Sequence, residues 1–261
     1  MTPMRTRREP PQFRAVEVLG VERLSARMVR VRLGGPDLAG LSVDEPAASV
    51  RLLLPSPPAQ ALEIPRWNGN EFLLADGRRP VLRTFTPRRL DTDALALDVD
   101  IVTHGHGVAS EWAESASTGD RAAVSGPGRG YAIDVQAPAF LLGGDESAIP
   151  AISQLLEVLP AHRPVQVHLE IAHAGAQLPL PDHPSAVISW HHLRAGAPPG
   201  DALVAGIGSV KLVPEARVWV AGEAAAMQRI RKYLFEDVGL PRSRTTVRGY
   251  WKHGRAGGAD D

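Results

Sequence analysis

Cysteine is missing altogether from the 261 residues. Disulfides, thiolate-bound zinc, Cys-ligated iron–sulfur clusters and a cysteine nucleophile are excluded together. Net charge is missing as well: 29 Lys plus Arg balance 29 Asp plus Glu, which gives no support for a nucleic-acid or membrane-surface partner. Lysine is scarce, confined to Lys211, Lys232 and Lys252. No apolar run is long enough to span a membrane. The basic stretch Met1 to Glu9 is not followed by the apolar core of a secretory signal, so a soluble cytoplasmic protein is expected. Nor is there a G-x-G-x-x-G fingerprint, a Walker loop, or a Ser/His/Asp or paired-carboxylate constellation. What remains is an ordinary globular composition, 44% hydrophobic and 22% charged, with room for one large domain or two of average size.

The polar, Pro-rich residues 1 to 12 read as a mobile arm. From Phe13 onward the pattern is one of short strands: Ala15–Glu22, Met28–Leu33, Ser49–Leu54, a strand around Arg83, Leu95–Val102, and one ending at Val124. A Pro/Ala-rich loop follows Pro55, with a turn at Trp67–Asn70. Five or more short strands predict a small antiparallel barrel, and only Val108 to Ala116 has helical period within it. After Ala137-Pro138 the grammar changes. Phe140–Leu142, Val165–Ile171, Ala186–Trp190 and Val218–Glu223 read as strands, with helices over Ala151–Leu159 and from Ala224 to about Asp237. This alternation predicts a parallel sheet, with ligands at its C-terminal strand ends, where the turns Gly143–Pro150 and Ala221–Glu223 would lie. The expected domains are 13–135 and 138–254.

Three segments carry possible chemistry. In Arg83-Thr84-Phe85-Thr86-Pro87-Arg88, read as one strand, Arg83, Phe85 and Pro87 share a face opposite Thr84, Thr86 and Arg88. A flat ring among guanidinium groups and hydroxyls suits a flavin, and the same residues also suit an ordinary sheet strand. His104-Gly105-His106-Gly107-Val108-Ala109-Ser110 is a glycine-interrupted helix start, either an anion cradle or a plain capped turn. Its two histidines lack the carboxylate or Cys partner of a metal site. Thr246–Gly254 ends the chain with adjacent aromatics among basic residues, which either staple the terminus to the core or cover a ligand.

These motifs occur in an order similar to that of the ferredoxin reductase-like flavoproteins. Within that superfamily, the chain resembles the siderophore-interacting protein family of ferric-siderophore reductases. The resemblance runs from about Phe13 to Gly254. Besides the segments above, it rests on Asp100–Gly105, Ala109–Ala113, Gly119-Asp120, Ser125–Gly130, Gly144–Ala151, Ala221–Glu223 and Gly249–Gly254.

The resemblance implies an N-terminal FAD-binding antiparallel β-barrel, a C-terminal NAD(P)H-binding α/β domain, and reduction of a ferric siderophore to release Fe(II). By position, Arg83, Phe85 and Thr86 would hold the isoalloxazine and ribityl region, and Arg88 the diphosphate. Asp100, Val102 and His104 would line the flavin, and Val108, Ala109 and Ser110 would donate to the diphosphate. Two departures stand out: Phe85 replaces the usual Tyr, which loses a hydroxyl but keeps stacking, and Val108 replaces a common Pro. Gly144, Asp145, Glu146, Ala221, Gly222 and Glu223 would flank the nicotinamide nucleotide, NADPH or NADH, with Arg194, Arg229 or Arg231 available to a 2′-phosphate. Arg51, Arg129 and Arg248 would meet the anionic ferric siderophore, with Lys252 and His253 as weaker additions. Reduced ferredoxin is an alternative donor, and the protein is expected to be a monomer. A general NAD(P)H:flavin oxidoreductase and a non-catalytic siderophore binder remain open alternatives at this point.

Overall fold

A computed structural model describes residues 12–55, 61–105 and 107–254. The expected arm up to residue 11, part of the Pro/Ala-rich loop, His106 and the tail after Gly254 lie outside the described residues.

Alternating sequence builds the first half. Its strands are β1 (Phe13–Ser25), β2 (Met28–Gly34), β3 (Val50–Leu54), β4 (Arg66–Trp67), β5 (Phe72–Leu73), β6 (Val81–Phe85), β7 (Pro87–Asp91), β8 (Ala96–Val102) and β9 (Arg121–Ser125). β4 and β5 form a separate hairpin, and the other seven pair antiparallel in the order β6-β3-β9-β1-β2-β8-β7. The two edge strands are neighbours in sequence, separated by Thr86 alone. One residue spans under about 4 Å, so the sheet must curl until its edges meet there. Val18, Val31, Leu33, Leu52, Val99 and Val124 fill the concave face. Burial of each contributes about 1.5–3 kcal/mol. Helix α1 (Val108–Ser115) adds Ala113 to this core and lays Trp112 against it.

The second half alternates strand and helix: β10 (Phe140–Asp145), α2 (Ile149–Val158), β11 (Val165–Ile171), β12 (Ala186–His192), α3 (Asp201–Gly208), β13 (Arg217–Glu223), α4 (Ala224–Lys232) and β14 (Thr245–Trp251). The strands are all parallel, in the order β12-β11-β10-β13-β14. Central β10 is buried at every position because helices cover both sheet faces. Leu142 and Trp219 pack with α2, while Leu141, Val218 and Val220 pack with α3 and α4.

Three sequence expectations change. Arg83 to Arg88 is not one strand but the corner between the two sheet edges, so the face alternation stops at Thr86. Gly143 to Asp145 belongs to β10, and the turn begins only at Glu146. The C-terminal aromatic segment is itself a strand, β14, at the edge of the parallel sheet.

The two halves share a packed seam. Met28 and Ala47 from the first half belong to the same buried cluster as Phe140, Ile152 and Leu155. Gln154 on α2 accepts from Ala47 N at 2.9 Å and donates to Pro87 O at 2.6 Å. The Arg27 guanidinium reaches Glu146 at 2.7 Å.

Candidate functional site

The corner at Thr86 organises the half-barrel rim. On β6, Val81 and Phe85 lie against the concave core, and two-residue periodicity places Arg83 on the same face. Arg83 is half-buried, and its only side-chain hydrogen bond among the described residues is to Leu82 O at 2.8 Å. Burial alone pulls its pKa below the usual guanidinium value, with no carboxylate to oppose it. Arg88, two residues beyond the corner, is in a different situation. Both its terminal nitrogens reach Glu157 on α2, at 3.2 and 2.5 Å, across the seam between the halves. Of the two cations expected around the flavin, the structure leaves Arg83 without an acidic partner among the described residues and commits Arg88 to Glu157.

The next rim element is the turn after β8. Asp100 is buried and takes a two-pronged pair from Arg30, at 2.7 and 2.8 Å, across the β2–β8 register. Both of its oxygens therefore face that guanidinium. Val102 packs toward the second half, and His104 is exposed, its backbone N donating to Ser110 Oγ at 3.0 Å. Gly105 and Gly107 have φ of 77° and 89°, the left-handed region that favours glycine. A Cβ at Gly105 would meet open space. Helix α1 starts directly after this hinge; its N-cap Gly107 has no side chain to cap the first turn, and Glu111 Oε1 accepts from Gly107 N at 3.2 Å. The N–H groups of Val108, Ala109 and Ser110 are thus without intrahelical acceptors. An arginine with no acidic partner among the described residues, an apolar ring at Phe85 and an open glycine hinge beside the first amides of α1 fit a flavin with its diphosphate.

At the C-terminal edge of the parallel sheet the polar groups are occupied. Asp145 accepts from Ser147 N at 2.9 Å, from Glu223 N at 2.8 Å and from Trp251 Nε1 at 2.8 Å, besides the Ser147 hydroxyl. Burial pushes its carboxyl above the ordinary range, and these donors oppose the shift. Glu146 holds Arg27 and accepts from Ala172 N at 2.8 Å, while Glu223 caps α4 through Ala226 N and accepts from His253 N at 3.1 Å. The strand ends at Gly144 of β10 and Gly222 of β13 are pressed together. A Cβ at Gly144 would lie 2.6 Å from Ala221 O, and one at Gly222 would lie 2.5 Å from Asp145 Oδ2. All six residues expected to flank a nicotinamide nucleotide therefore gather where the strand order reverses, between β10 and β13.

The segment Ser125 to Gly130 collects the three expected substrate arginines. Arg51 opposes Ser125 in the β3–β9 register, and Arg248 on β14 donates to Ala47 O, Arg129 O and Gly130 O at 3.1, 3.2 and 2.7 Å. Arg51 and Arg129 are exposed and have no acidic partner among the described residues. Sequence reasoning left Tyr250 and Trp251 as either a staple to the core or a cover over a ligand and named no partners for them; in the structure they join the two edges. The Tyr250 side chain lies beside Thr86, burial raises its pKa while Thr86 opposes the shift, and the neighbouring Trp251 reaches Asp145. The adjacent aromatics at 250 and 251 were the only signal for this in the sequence.

Comparison with known proteins decides the family. Residues 17–131 match the siderophore-interacting FAD-binding domain, and residues 137–254 match the siderophore-interacting protein model. The chain is 36% identical to a siderophore utilization protein from T. fusca, with 95% of each chain covered and a TM-score of 0.84. The chain belongs to the siderophore-interacting protein family. An uncharacterized protein of Mycobacterium tuberculosis is 33% identical over 92% of this chain and 90% of its own length. The ferric vibriobactin reductase ViuB of Vibrio cholerae is 28% identical, covering 89% of this chain and 86% of ViuB. The half-barrel is the FAD-binding domain of this family, and the arrangement of the two sheets is shared with the FAD/NAD-binding domain of nitric oxide dioxygenase from Vibrio cholerae, 14% identical over 92% of this chain and 98% of that one, with a TM-score of 0.65. No helix among the described residues is long and apolar enough to cross a membrane.

Proposed function

We propose that this protein reduces ferric iron held in a siderophore, taking electrons from a nicotinamide nucleotide by way of FAD on the half-barrel rim. The observation that carries this reading is the single strand β14, whose Tyr250 meets Thr86 on the flavin rim while Trp251 meets Asp145 at the sheet crevice. Flavin rim and nucleotide crevice are thereby neighbours, as electron transfer between their ligands requires. Bound FAD supplies the step from two-electron hydride acceptance to one-electron release.

The residues supply binding and orientation. Phe85 offers its ring as the flat surface and Thr86 a hydroxyl at its polar edge. Arg83, rather than Arg88, neutralises the diphosphate together with the amides of Val108, Ala109 and Ser110, because Arg88 already pairs with Glu157. Val102 and His104 flank that rim, and Asp100 acts on it through Arg30. Gly144, Asp145, Glu146, Ala221, Gly222 and Glu223 form the crevice for the nucleotide. Arg51 and Arg129 attract the anionic chelate, and Arg248 fixes the loop that carries Arg129. Ferrous iron is a poorer match than ferric for hard oxygen ligands, so reduction releases the metal. On this reading, residues 13–135 serve the flavin and 138–254 the donor, in a cytoplasmic monomer. ViuB, a relative by the match above, is named as a ferric reductase, which supports the substrate class.

The test is anaerobic titration of FAD-loaded protein with NADPH and NADH, followed by ferric siderophores and a ferrous-specific chelator. Flavin absorbance should bleach with nucleotide and recover on adding the siderophore, with one ferrous ion appearing per electron. Bleaching followed by recovery with free flavins only would instead mark a general flavin reductase. Bleaching by reduced ferredoxin alone would replace the nucleotide as donor.

A further inference from the structure

The hairpin β4–β5 belongs to neither large sheet, and neither the flavin rim nor the β10–β13 crevice uses it. Asn68 closes its turn, the side-chain oxygen accepting from Asn70 N and Glu71 N, both at 2.9 Å. A two-stranded ribbon this short does not hold itself together in water, so it must be fixed from below. The anchor is aromatic. Phe72 meets Phe13 edge-on, with ring centroids 5.2 Å apart, and Trp67 leans on Phe72 at 5.0 Å. Phe72 alone provides the fastening, for Trp67 keeps 40% of its surface exposed.

The point of attachment belongs to a row of side chains. Phe13 pairs with Ser125, Ser125 with Arg51 and Arg51 with Thr84, in antiparallel register across β1, β9, β3 and β6. Residues directly opposite one another share a face. Leu52 and Val124, one residue along, fill the concave core, so this row lies on the outer face. Phe13 and Arg51 are two strand spacings apart, about 10 Å, a span that a chelate with three bidentate arms covers. The row ends at Thr84, next to Phe85, and so leads from the aromatic hairpin to the flavin rim.

Charge along this route favours an anion. The acids of the hairpin segment are committed: Glu71 pairs with Arg79 at 2.7 Å, Asp76 with Arg78 at 2.5 Å, and Glu63 accepts from Ala75 N at 2.6 Å. Arg51 has no acidic partner among the described residues. An exposed indole at one end and a guanidinium at the other suit a ligand that is both flat and negative. A catecholate arm is both: its ring can pack on an indole, and its two ionised oxygens leave the ferric complex with net negative charge. A hydroxamate arm has no ring, and three of them leave ferric iron with no net charge.

We propose that the β4–β5 hairpin sets substrate specificity, with Trp67, seated on Phe72, packing against a catecholate arm of the ferric siderophore. The inference rests on the ferric-siderophore reading above and names the class of chelate, catecholate rather than hydroxamate. Its test is calorimetric titration of the oxidised, FAD-loaded protein with two gallium(III) trianions, the complex of a synthetic tris-catecholamide and the trisoxalate. Gallium stands in for ferric iron without taking an electron, and the two complexes share their charge while only one carries rings. The natural chain should bind the tris-catecholamide complex at least about fivefold more tightly, the scale of one aromatic pair. Trp67→Ala should remove about that factor for the tris-catecholamide complex and leave the trisoxalate unchanged. Trp67→Phe should restore most of it, and Arg51→Ala should weaken both complexes alike. Equal affinity for the two complexes, or a preference that survives Trp67→Ala, overturns the inference. The two readings fail separately. Trp67-dependent binding of the gallium complex, without reduction of its ferric counterpart by the reduced flavin, keeps the catecholate site and removes the reductase. Reduction of the ferric tris-catecholamide with a KM that ignores Trp67→Ala does the reverse.

Discussion

The rim of the half-barrel and the C-terminal edge of the parallel sheet lie side by side yet differ in how their polar groups are satisfied. On the rim, among the described residues, Arg83 has no carboxylate partner, the N-cap Gly107 offers no side chain to the first amides of α1, and a Cβ at Gly105 would meet open space. At the sheet edge, Asp145, Glu146 and Glu223 are filled by donors from the chain itself. Groups without partners mark a place that a ligand completes. Groups with internal partners mark a place that the chain holds shut until a ligand displaces them. FAD would meet a prepared rim, whereas a nucleotide reaching the crevice must compete with Trp251 and His253.

The largest effect should come from the tightest point of the sheet edge. Gly144→Ala would drive a Cβ into Ala221 O and Ala148 Cβ, the first of which is backbone and cannot yield cheaply. A loss of about 3 kcal/mol is expected in denaturant unfolding. Trp251→Phe keeps the ring and removes the indole N–H from Asp145. About 1 kcal/mol of stability should be lost. The same variant should lower the KM for the nucleotide, since one internal competitor is gone; a raised KM would show that Trp251 helps bind it.

Acid should act on the sheet side in particular. Burial lowers the pKa of both His168 and His191 below the ordinary imidazole value of 6.5. The unfolded chain takes up protons first, so stability is full above that pH and falls as pH drops below it. A Tm series against pH should show this decline, and His168→Gln should flatten it. The smallest effect is expected for Arg88→Ala, because its pair with Glu157 is partly exposed. The change should be under about 1 kcal/mol, with flavin content unaltered.

Much of the architecture was legible because periodicity reports burial. Val165–Ile171 was bounded correctly, and β8 differs by one residue, since their alternation or apolar run is long. Helix α3, Asp-Ala-Leu-Val-Ala-Gly-Ile-Gly, was not seen, because two glycines and small residues leave no apolar stripe to read. The corner at Thr86 was misread for a different reason. The strand-forming Thr84, Phe85 and Thr86 say nothing about a sheet curling until its edges meet, and only Pro87 in the run argued against one continuous strand. At the site, residue types were legible but their commitments were not. Arg83 and Arg88 look alike in sequence, and only the position of Glu157, sixty-nine residues away, separates them. The same holds for Asp100, whose partner Arg30 lies on a neighbouring strand.

Flavin retention in Arg83→Ala and Arg88→Ala, purified side by side and titrated with FAD by fluorescence quenching, tests the central claim most directly. Loss of one charge-assisted contact to the diphosphate should weaken FAD binding at least about tenfold in Arg83→Ala. Arg88→Ala should bind as the natural chain does. Equal retention in both variants, or loss confined to Arg88→Ala, would contradict the assignment of Arg83 to the flavin.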